Sequence, residues 1–429
     1  MEERILIKGN IKTDKEVHPG YIISNLNTGL IEEIKLNEAF QGEFPGKVYD
    51  YPNEYIIEAG DFNAHSHPEQ SIYTDAVDKS WDLGTWCRNT IYKYSIKLQP
   101  EHIYYGCLRA FSRMLTLGVT SVMVSFYCHG NKGNTLDKEV LRAAKDTGIR
   151  LYFGRMNYDI LTENAYEAKK DSQKSYFETP DEAEMNFYML FGEMCDKDII
   201  IAPSLHSIHA STKDAIVKGI NLAFENGKYI QFHLSEDKGD VDLSLELYGM
   251  RPLKFLESLL KNKEIKSLEH VILSDCIWLD DEEYEVIKKY NMNVVLNPRM
   301  NERVKAGEAN LEKFLDMNIP IYLGTDGEAS NDDLSITGER NFLKSKFINI
   351  NPETINALGK TPFKFNQGYI GTLANGHFCD IKVTNKDGLV CDVFVSSKNV
   401  VKDGNLLTMN MDKDIEIPLK NLLSKLFVD

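Results

Sequence analysis

Short apolar runs recur along the middle of the chain, each followed by a polar stretch and then by apolar residues at helical spacing. They fall at 60–67, 120–125, 150–154, 199–203, 229–233, 270–274, 294–297 and 319–324, and residues 101–117 and 138–145 carry helical patterns between them. Eight such strand-like runs alternating with amphipathic helices predict an α/β fold, a (β/α)8 TIM barrel over residues 58–364. The two ends of the chain read differently. Residues 5–9, 20–23 and 30–34 at the start, and 379–384, 390–395 and 399–405 at the end, are β-rich runs split by Gly, Asn and charged residues. The final turn fits a hairpin with Asp403-Gly404 at its tip. These ends predict one small β-sandwich domain assembled from residues 1–57 and 365–429.

A doubly wound open sheet also alternates strand and helix, and the placement of the polar residues decides between the two. The first run ends in Ala64-His65-Ser66-His67, the fourth leads into Ser204-Leu205-His206, and the fifth ends in Gln231-Phe232-His233. The sixth ends in Ser274-Asp275 and the eighth in Gly324-Thr325-Asp326-Gly327. In a barrel all these C-terminal strand ends converge on one face and can share one pocket. The two-residue period of a strand puts His65 and His67 on the same side, able to clamp one ion. Three imidazoles and one carboxylate with an open position describe a catalytic zinc or iron site, not a closed structural one.

Composition narrows the classes further. The chain of 429 residues is 42% hydrophobic and 27% charged, ordinary for a globular protein and unlike a collagen or a disordered chain. Its 49 basic and 65 acidic residues give a formal charge of −16, which disfavours nucleic acid and anionic membrane surfaces as partners. Seven cysteines, Cys87, Cys107, Cys128, Cys195, Cys276, Cys379 and Cys391, lack CxxC spacing, so reduced thiols are expected. Met1-Glu2-Glu3-Arg4 opens no signal-peptide pattern and no run approaches a membrane span, so a cytoplasmic location is expected. The charge runs at 261–266 and 280–283 read as solvated helix faces.

Several ordered motifs carry a family resemblance that spans nearly the whole chain. Gly60-Asp61-Phe62-Asn63-Ala64-His65-Ser66-His67-Pro68 resembles the GFVNAHTHxP strand of the amidohydrolase superfamily, in the aminohydrolase branch. That branch includes S-adenosylhomocysteine/methylthioadenosine deaminases, guanine deaminase and the triazine hydrolases. His233-Leu234-Ser235-Glu236 resembles its HxxE, Asn297-Pro298-Arg299-Met300-Asn301 its NPxSN, and Leu323-Gly324-Thr325-Asp326-Gly327 its LGTDG. The segments from Gly371 to Asp380 and Val401 to Gly404 match those that close the family's β-sandwich.

The resemblance implies that His65, His67, His233 and Asp326 hold one divalent metal, Zn2+ foremost and Fe2+ as the alternative, which lowers the pKa of its water. Asp326 would also accept a proton from that water. Glu236, three residues beyond His233, cannot share its strand face and should come from the chain as it turns off the strand; there it would shuttle protons to a ring nitrogen and the leaving amine. His206 matches a family histidine that contacts substrate. Dinuclear relatives carry a bridging lysine at the end of the fourth strand, and Ile201-Ala202-Pro203-Ser204 has none, so one metal is expected. Where the family has AHC at the sixth strand end, this chain has Ser274-Asp275-Cys276; His270 lies too early in the run to replace the missing imidazole. An aspartate there accepts a hydrogen bond from the water and adds negative charge beside the metal, so Asp275 joins Glu236 and Asp326 as a candidate catalytic residue.

Trp81 and Trp86, on the segment after the first strand, are placed either to stack on an aromatic substrate or to pack that segment. Glu69-Gln70 and Arg299 are expected at the pocket mouth, and His209 and His129 stand between pocket and hydrogen-bonded core. The implied activity is hydrolytic deamination of an aminated N-heterocycle such as a purine, pterin, pyrimidine or triazine, by a homodimer or homotetramer. Hydrolysis of a cyclic amide or other C–N bond is the alternative within the same fold. Asp275 motivates a third reading, a metal-binding regulatory protein without turnover.

Overall fold

The protein is described by a computed structural model covering residues 3–13, 16–194 and 196–427. All eight expected barrel strands are present: β1 (Asp61–Ser66), β2 (Val119–Phe126), β3 (Arg150–Asn157), β4 (Ile199–Leu205), β5 (Ile230–Leu234), β6 (Val271–Asp275), β7 (Asn293–Leu296) and β8 (Ile321–Leu323). They pair in parallel in sequence order from β1 to β8. The seam between β8 and β1 is drawn together beyond the end of β8, where the amides of Thr325 and Asp326 donate to the His65 carbonyl at 3.2 and 3.1 Å. Asn63 Nδ2 adds a bond to Thr325 Oγ1 at 2.7 Å. Gly324 makes that approach possible, because a Cβ there would lie 2.3 Å from Asn297 Oδ1 and 2.8 Å from His65 Cβ.

Alternation along the strands divides the barrel into two cores. Inward-facing Phe62, Ala64, Met123, Tyr152, Ile200, Ile272, Val295 and Tyr322 fill the lumen, as barrel packing requires. A hairpin of Phe363–Phe365 and Gly368–Ile370 supplies Phe363, Phe365 and Ile370 to the same cluster and plugs the N-terminal end. His270 packs at that end against Phe224 and Tyr229, away from the strand exits. Outward-facing residues pack under the helices. Helix Pro100–Thr116 begins with Pro100 and a Gln99/His102 capping box, and it buries Ile103, Cys107, Ala110, Phe111 and Met114 on one face.

The terminal segments form one hydrogen-bonded β-sheet around a separate core of Ile5, Ile7, Ile11, Ile22, Ile31, Ile57, Ile381, Val383 and Phe394. The ends of the chain meet where Ile56–Ala59 pairs antiparallel with Ile381–Thr384. The expected tip is present, with Asp403 (φ 49°) and Gly404 (φ 76°) linking Lys402 to Asn405. Both residues are left-handed, as a two-residue type I′ turn demands. Arg150, fully buried at the start of β3, ties barrel to sheet by donating to Asp380 at 2.7 and 3.0 Å.

Two expectations from the sequence change. The β-rich reading of the last residues stops short of a π-helical turn, Met411–Glu416, and an α-helix, Ile417–Leu426. Leu419, Leu423 and Leu426 are spaced by four and three residues, which is helical, and they are buried, the helix packing against Pro100–Thr116. The charge run at 280–283 is not wholly solvated: Asp280 caps helix Asp281–Lys289, and Glu283 is buried, accepting from Arg251 Nε at 2.8 Å and Leu253 N at 3.0 Å. Cys87, Cys107, Cys128, Cys276, Cys379 and Cys391 are free thiols, and Cys195 lies outside the described residues, as do Met1 and Glu2. Among the described residues no helix is long and apolar enough to cross a membrane.

Candidate active site

Five strand exits place the chemistry. His65 and His67 leave β1 and His233 leaves β5, and their ligand atoms all lie within 4.8 Å of one another. The Nε2 atoms of His65 and His233 are 3.2 Å apart. Asp326, just past β8, brings Oδ1 to 3.4 Å from His65 Nε2 and 3.3 Å from His67 Nε2. Each imidazole is turned by a bond on its other nitrogen. His65 Nδ1 donates to Gln231 Oε1 at 2.7 Å, His67 Nδ1 to the Ser125 carbonyl at 2.6 Å, and His233 Nδ1 to the His206 carbonyl at 2.8 Å. Those bonds set the tautomers so that three Nε2 lone pairs face one point, the arrangement a divalent metal needs.

Two of the three imidazoles are shifted toward the metal-competent form. Burial and the neighbouring imidazoles pull His67 down to about 3 and also lower His233, which favours the neutral, metal-competent form. His65 moves the other way: burial would lower it, but the adjoining Asp326 raises it, and the Asp326 carboxyl is in turn held below its ordinary range beside the imidazoles although burial would raise it. Ser330 Oγ fixes the other oxygen, donating to Asp326 Oδ2 at 2.7 Å. The donor set thus fits one divalent ion.

Glu236 sits where the chain turns off β5. Ser235 has φ 52°, a left-handed residue that breaks the strand's two-residue period. Burial, and then the negative charges of Asp275 and Asp326, push the Glu236 carboxyl well above the usual carboxylate range. Asp275 is the last residue of β6, is wholly buried, and has φ 76°. Its Oδ1 accepts from Asn297 Nδ2 at 2.8 Å and Asn301 Nδ2 at 3.2 Å, while Oδ2 is buried without a partner.

The expected substrate residues spread over different surroundings. The His206 ring lies 5.2 Å from His233, Tyr127 and Tyr158, and burial with the nearby imidazoles pushes its pKa well down. Ser207 Oγ bonds both His206 Nδ1 at 2.9 Å and His209 Nδ1 at 3.0 Å, and the His209 side chain is 42% exposed. Glu69 is buried on the 3-10 turn Pro68–Ala76 with Oε2 unpartnered, and burial raises its carboxyl to about 8, with Asp326 adding to the rise. Trp86 is buried in the main core, and its Nε1 donates to the Ala329 carbonyl at 3.2 Å; Trp81 packs at the edge of that core. His129 is not near the metal point: its ring is held between Asp137 and the Met156 carbonyl. Arg299 is committed to Glu339 and Asp333.

Sequence reasoning missed the groups that orient the others. Gln231 serves His65, and Asn297 and Asn301 grip Asp275. The signals were present: Gln231 lies two residues before His233, on the same strand face, and Asn297 and Asn301 stand four apart where helix Pro298–Arg303 begins.

A model of the amidohydrolase family matches residues 56–407. The chain is 25% identical over 414 residues to the 5'-deoxyadenosine deaminase of Methanocaldococcus jannaschii, covering 90% of this chain and 91% of that one. It is 29% identical over 313 residues to the 5-methylthioadenosine/S-adenosylhomocysteine deaminase of Thermococcus sibiricus, covering 72% and 67%. The fold matches an atrazine chlorohydrolase from Arthrobacter aurescens complexed with zinc, with a TM-score of 0.81 at 17% identity over 98% of this chain and 100% of that one. With barrel, clustered histidines and family match in agreement, the chain belongs to the amidohydrolase family.

Proposed function

We propose that the protein is a metal-dependent hydrolytic deaminase that releases ammonia from an aminated N-heterocycle, with purine nucleosides of the 5'-deoxyadenosine type as the first substrates to try. The observation that carries this reading is the cluster of three imidazoles and the Asp326 carboxylate, with Glu236 at the same strand exit as His233, where burial and neighbouring carboxylates raise its carboxyl. His65, His67, His233 and Asp326 would hold the ion, Zn2+ or, with the same nitrogen and oxygen donors, Fe2+. A divalent ion there supplies Lewis acidity that brings the pKa of a water toward neutrality.

The chain's own groups do the rest. Asp326 takes a proton from the attacking water. Glu236, kept protonated by its surroundings, gives its proton to the ring nitrogen beside the reacting carbon, which makes that carbon electrophilic. Oxygen bonds to the carbon, the C–N bond to the amino group breaks, and protons returned through Glu236 let the nitrogen leave as ammonia. His206 and Glu69 line the substrate side, with His209 behind His206, and Trp81 and Trp86 shape the segment that covers it. The working unit is a homodimer or homotetramer acting on a small molecule.

The test is ammonia release by the metal-replete protein from a panel of aminated purines, pterins, pyrimidines and triazines. Glu236→Gln should lower kcat by about 100-fold or more, the usual range for removing a general acid, with metal content unchanged. No ammonia from any member of the panel would overturn the proposal.

A further inference from the structure

Asp275 Oδ2 is an acceptor with nothing to accept. The side chain is wholly buried, both donors that reach it converge on Oδ1, and the second oxygen is left bare. A buried carboxylate oxygen without a donor is costly, and native structures keep few of them unless a ligand completes the bond. Asn297 and Asn301 hold the group in place, so it cannot turn to find a partner within the protein.

The group sits among the other carboxyls of the strand exits. Leu234 of β5 pairs with Asp275 of β6, and the amides of Ile277 and Trp278 both donate to the Ser235 carbonyl at 3.1 and 3.0 Å. The exits that carry Glu236 and Asp275 are therefore stitched side by side. Asp326 lies beyond β7, at the exit of β8, with Oδ1 toward the imidazoles and Oδ2 taken by Ser330. Among the described residues no lysine or arginine bonds to Asp275, Glu236, Glu69 or Asp326. Glu236 and Asp275 thus stand at neighbouring strand exits.

We propose that Asp275 is a specificity-determining residue that accepts an N–H of the substrate through its free Oδ2. This rests on the deaminase reading for the identity of the substrate face, but it is read by binding and can be tested apart from turnover. The probes are 2-amino-4-pyrimidinone, a cyclic guanidine, and 2-methyl-4-pyrimidinone, which replaces the exocyclic amino donor with a methyl group. Dissociation constants are measured by calorimetry on the metal-replete protein, whose metal content is checked in each sample. The wild type should bind the amino compound at least about 10-fold more tightly, since a site built around a hydrogen bond rejects the analogue lacking it. In Asp275→Asn the two amides still need the oxygen, which turns the new NH2 group toward the substrate, and the preference should fall to about 2-fold or reverse.

Equal affinity of the wild type for the two probes overturns the inference without any variant. So does an Asp275→Asn protein that holds its metal and weakens both probes by the same factor, because Asp275 would then serve the attacking water and not the substrate. Discrimination that persists in a protein releasing no ammonia would leave Asp275 as the recognition point and remove the deaminase assignment instead.

Discussion

Ser235, Asp275 and Asp326 all stand at strand exits with left-handed backbone, at φ 52°, 76° and 56°. Non-glycine residues there cost of order 1–3 kcal/mol each and persist where the surroundings overdetermine them. Here the restraints are visible: Asp326 N donates to the His65 carbonyl, and Asn297 and Asn301 grip the Asp275 carboxyl. The same strain explains what could be read in the chain beforehand. Two-residue periodicity placed His65 and His67 on one face, but it could not say where a side chain points after the strand has been broken. The role of Gln231 is a case in point. Its Oε1 takes both His65 Nδ1–H and the Ser125 hydroxyl at 2.6 Å, while its Nε2 donates to the Ala64 carbonyl at 2.8 Å. Gln231→Leu should keep the fold and lower metal affinity by about 10–100-fold, because the ring would lose the partner that fixes its tautomer. Competition with a calibrated chelator measures this, and an unchanged metal affinity would mean that packing alone orients His65.

Elements are held together at the opposite end of the barrel by buried charge. Asp61 opens β1, where Arg340 Nη1 donates to Oδ1 at 2.8 Å and Lys382 Nζ to Oδ2 at 2.7 Å. Arg340 belongs to helix Ile336–Lys346 and Lys382 to the terminal sheet strand Ile381–Thr384, so one carboxylate joins three elements. Burial would raise the Asp61 carboxyl, but the two cations more than offset it and lower the folded-state pKa. A depressed folded pKa means that the stabilisation is complete above the unfolded value of about 3.9 and is lost as pH falls below it toward the folded value. Asp61→Asn should destabilise the protein at pH 7 by about 3 kcal/mol or more, as for other buried pairs stripped of one partner. Urea midpoints should draw together as pH drops below about 4. A gap that stays constant down to pH 3 would assign the loss to packing. None of this was legible beforehand, since hydrophobic periodicity located each element but carries no information on which distant charges meet.

At the scale of the whole molecule, the end of the chain reaches back to the metal site. Glu416 accepts from Arg109 Nη2 at 2.5 Å and from Arg113 Nη2 at 3.1 Å, both on helix Pro100–Thr116. Arg109 Nη1 continues to the Ser71 carbonyl at 3.2 Å and Thr74 Oγ1 at 2.9 Å, and Arg113 Nη1 to Glu328 Oε1 at 2.6 Å. Ser71 Oγ also donates to Glu328. Pro68–Ala76 follows His67 directly and Glu328–Ser330 follows Asp326 by one glycine, so the segments after these two residues are braced by one C-terminal carboxylate. The barrel and its strand exits followed from the order of apolar runs and polar endings, because those are local. This brace joins residues some 300 positions apart in sequence and exists only once the C-terminal helix has docked. Glu416→Gln should therefore cost about 1–3 kcal/mol of stability, the range for a hydrogen bond to a charged group. The loss should appear first as faster amide hydrogen exchange in residues 68–76 and 328–330, with exchange in β2 to β4 unchanged. A uniform increase across the barrel would mean that Glu416 supports the fold as a whole and not the two segments that follow His67 and Asp326.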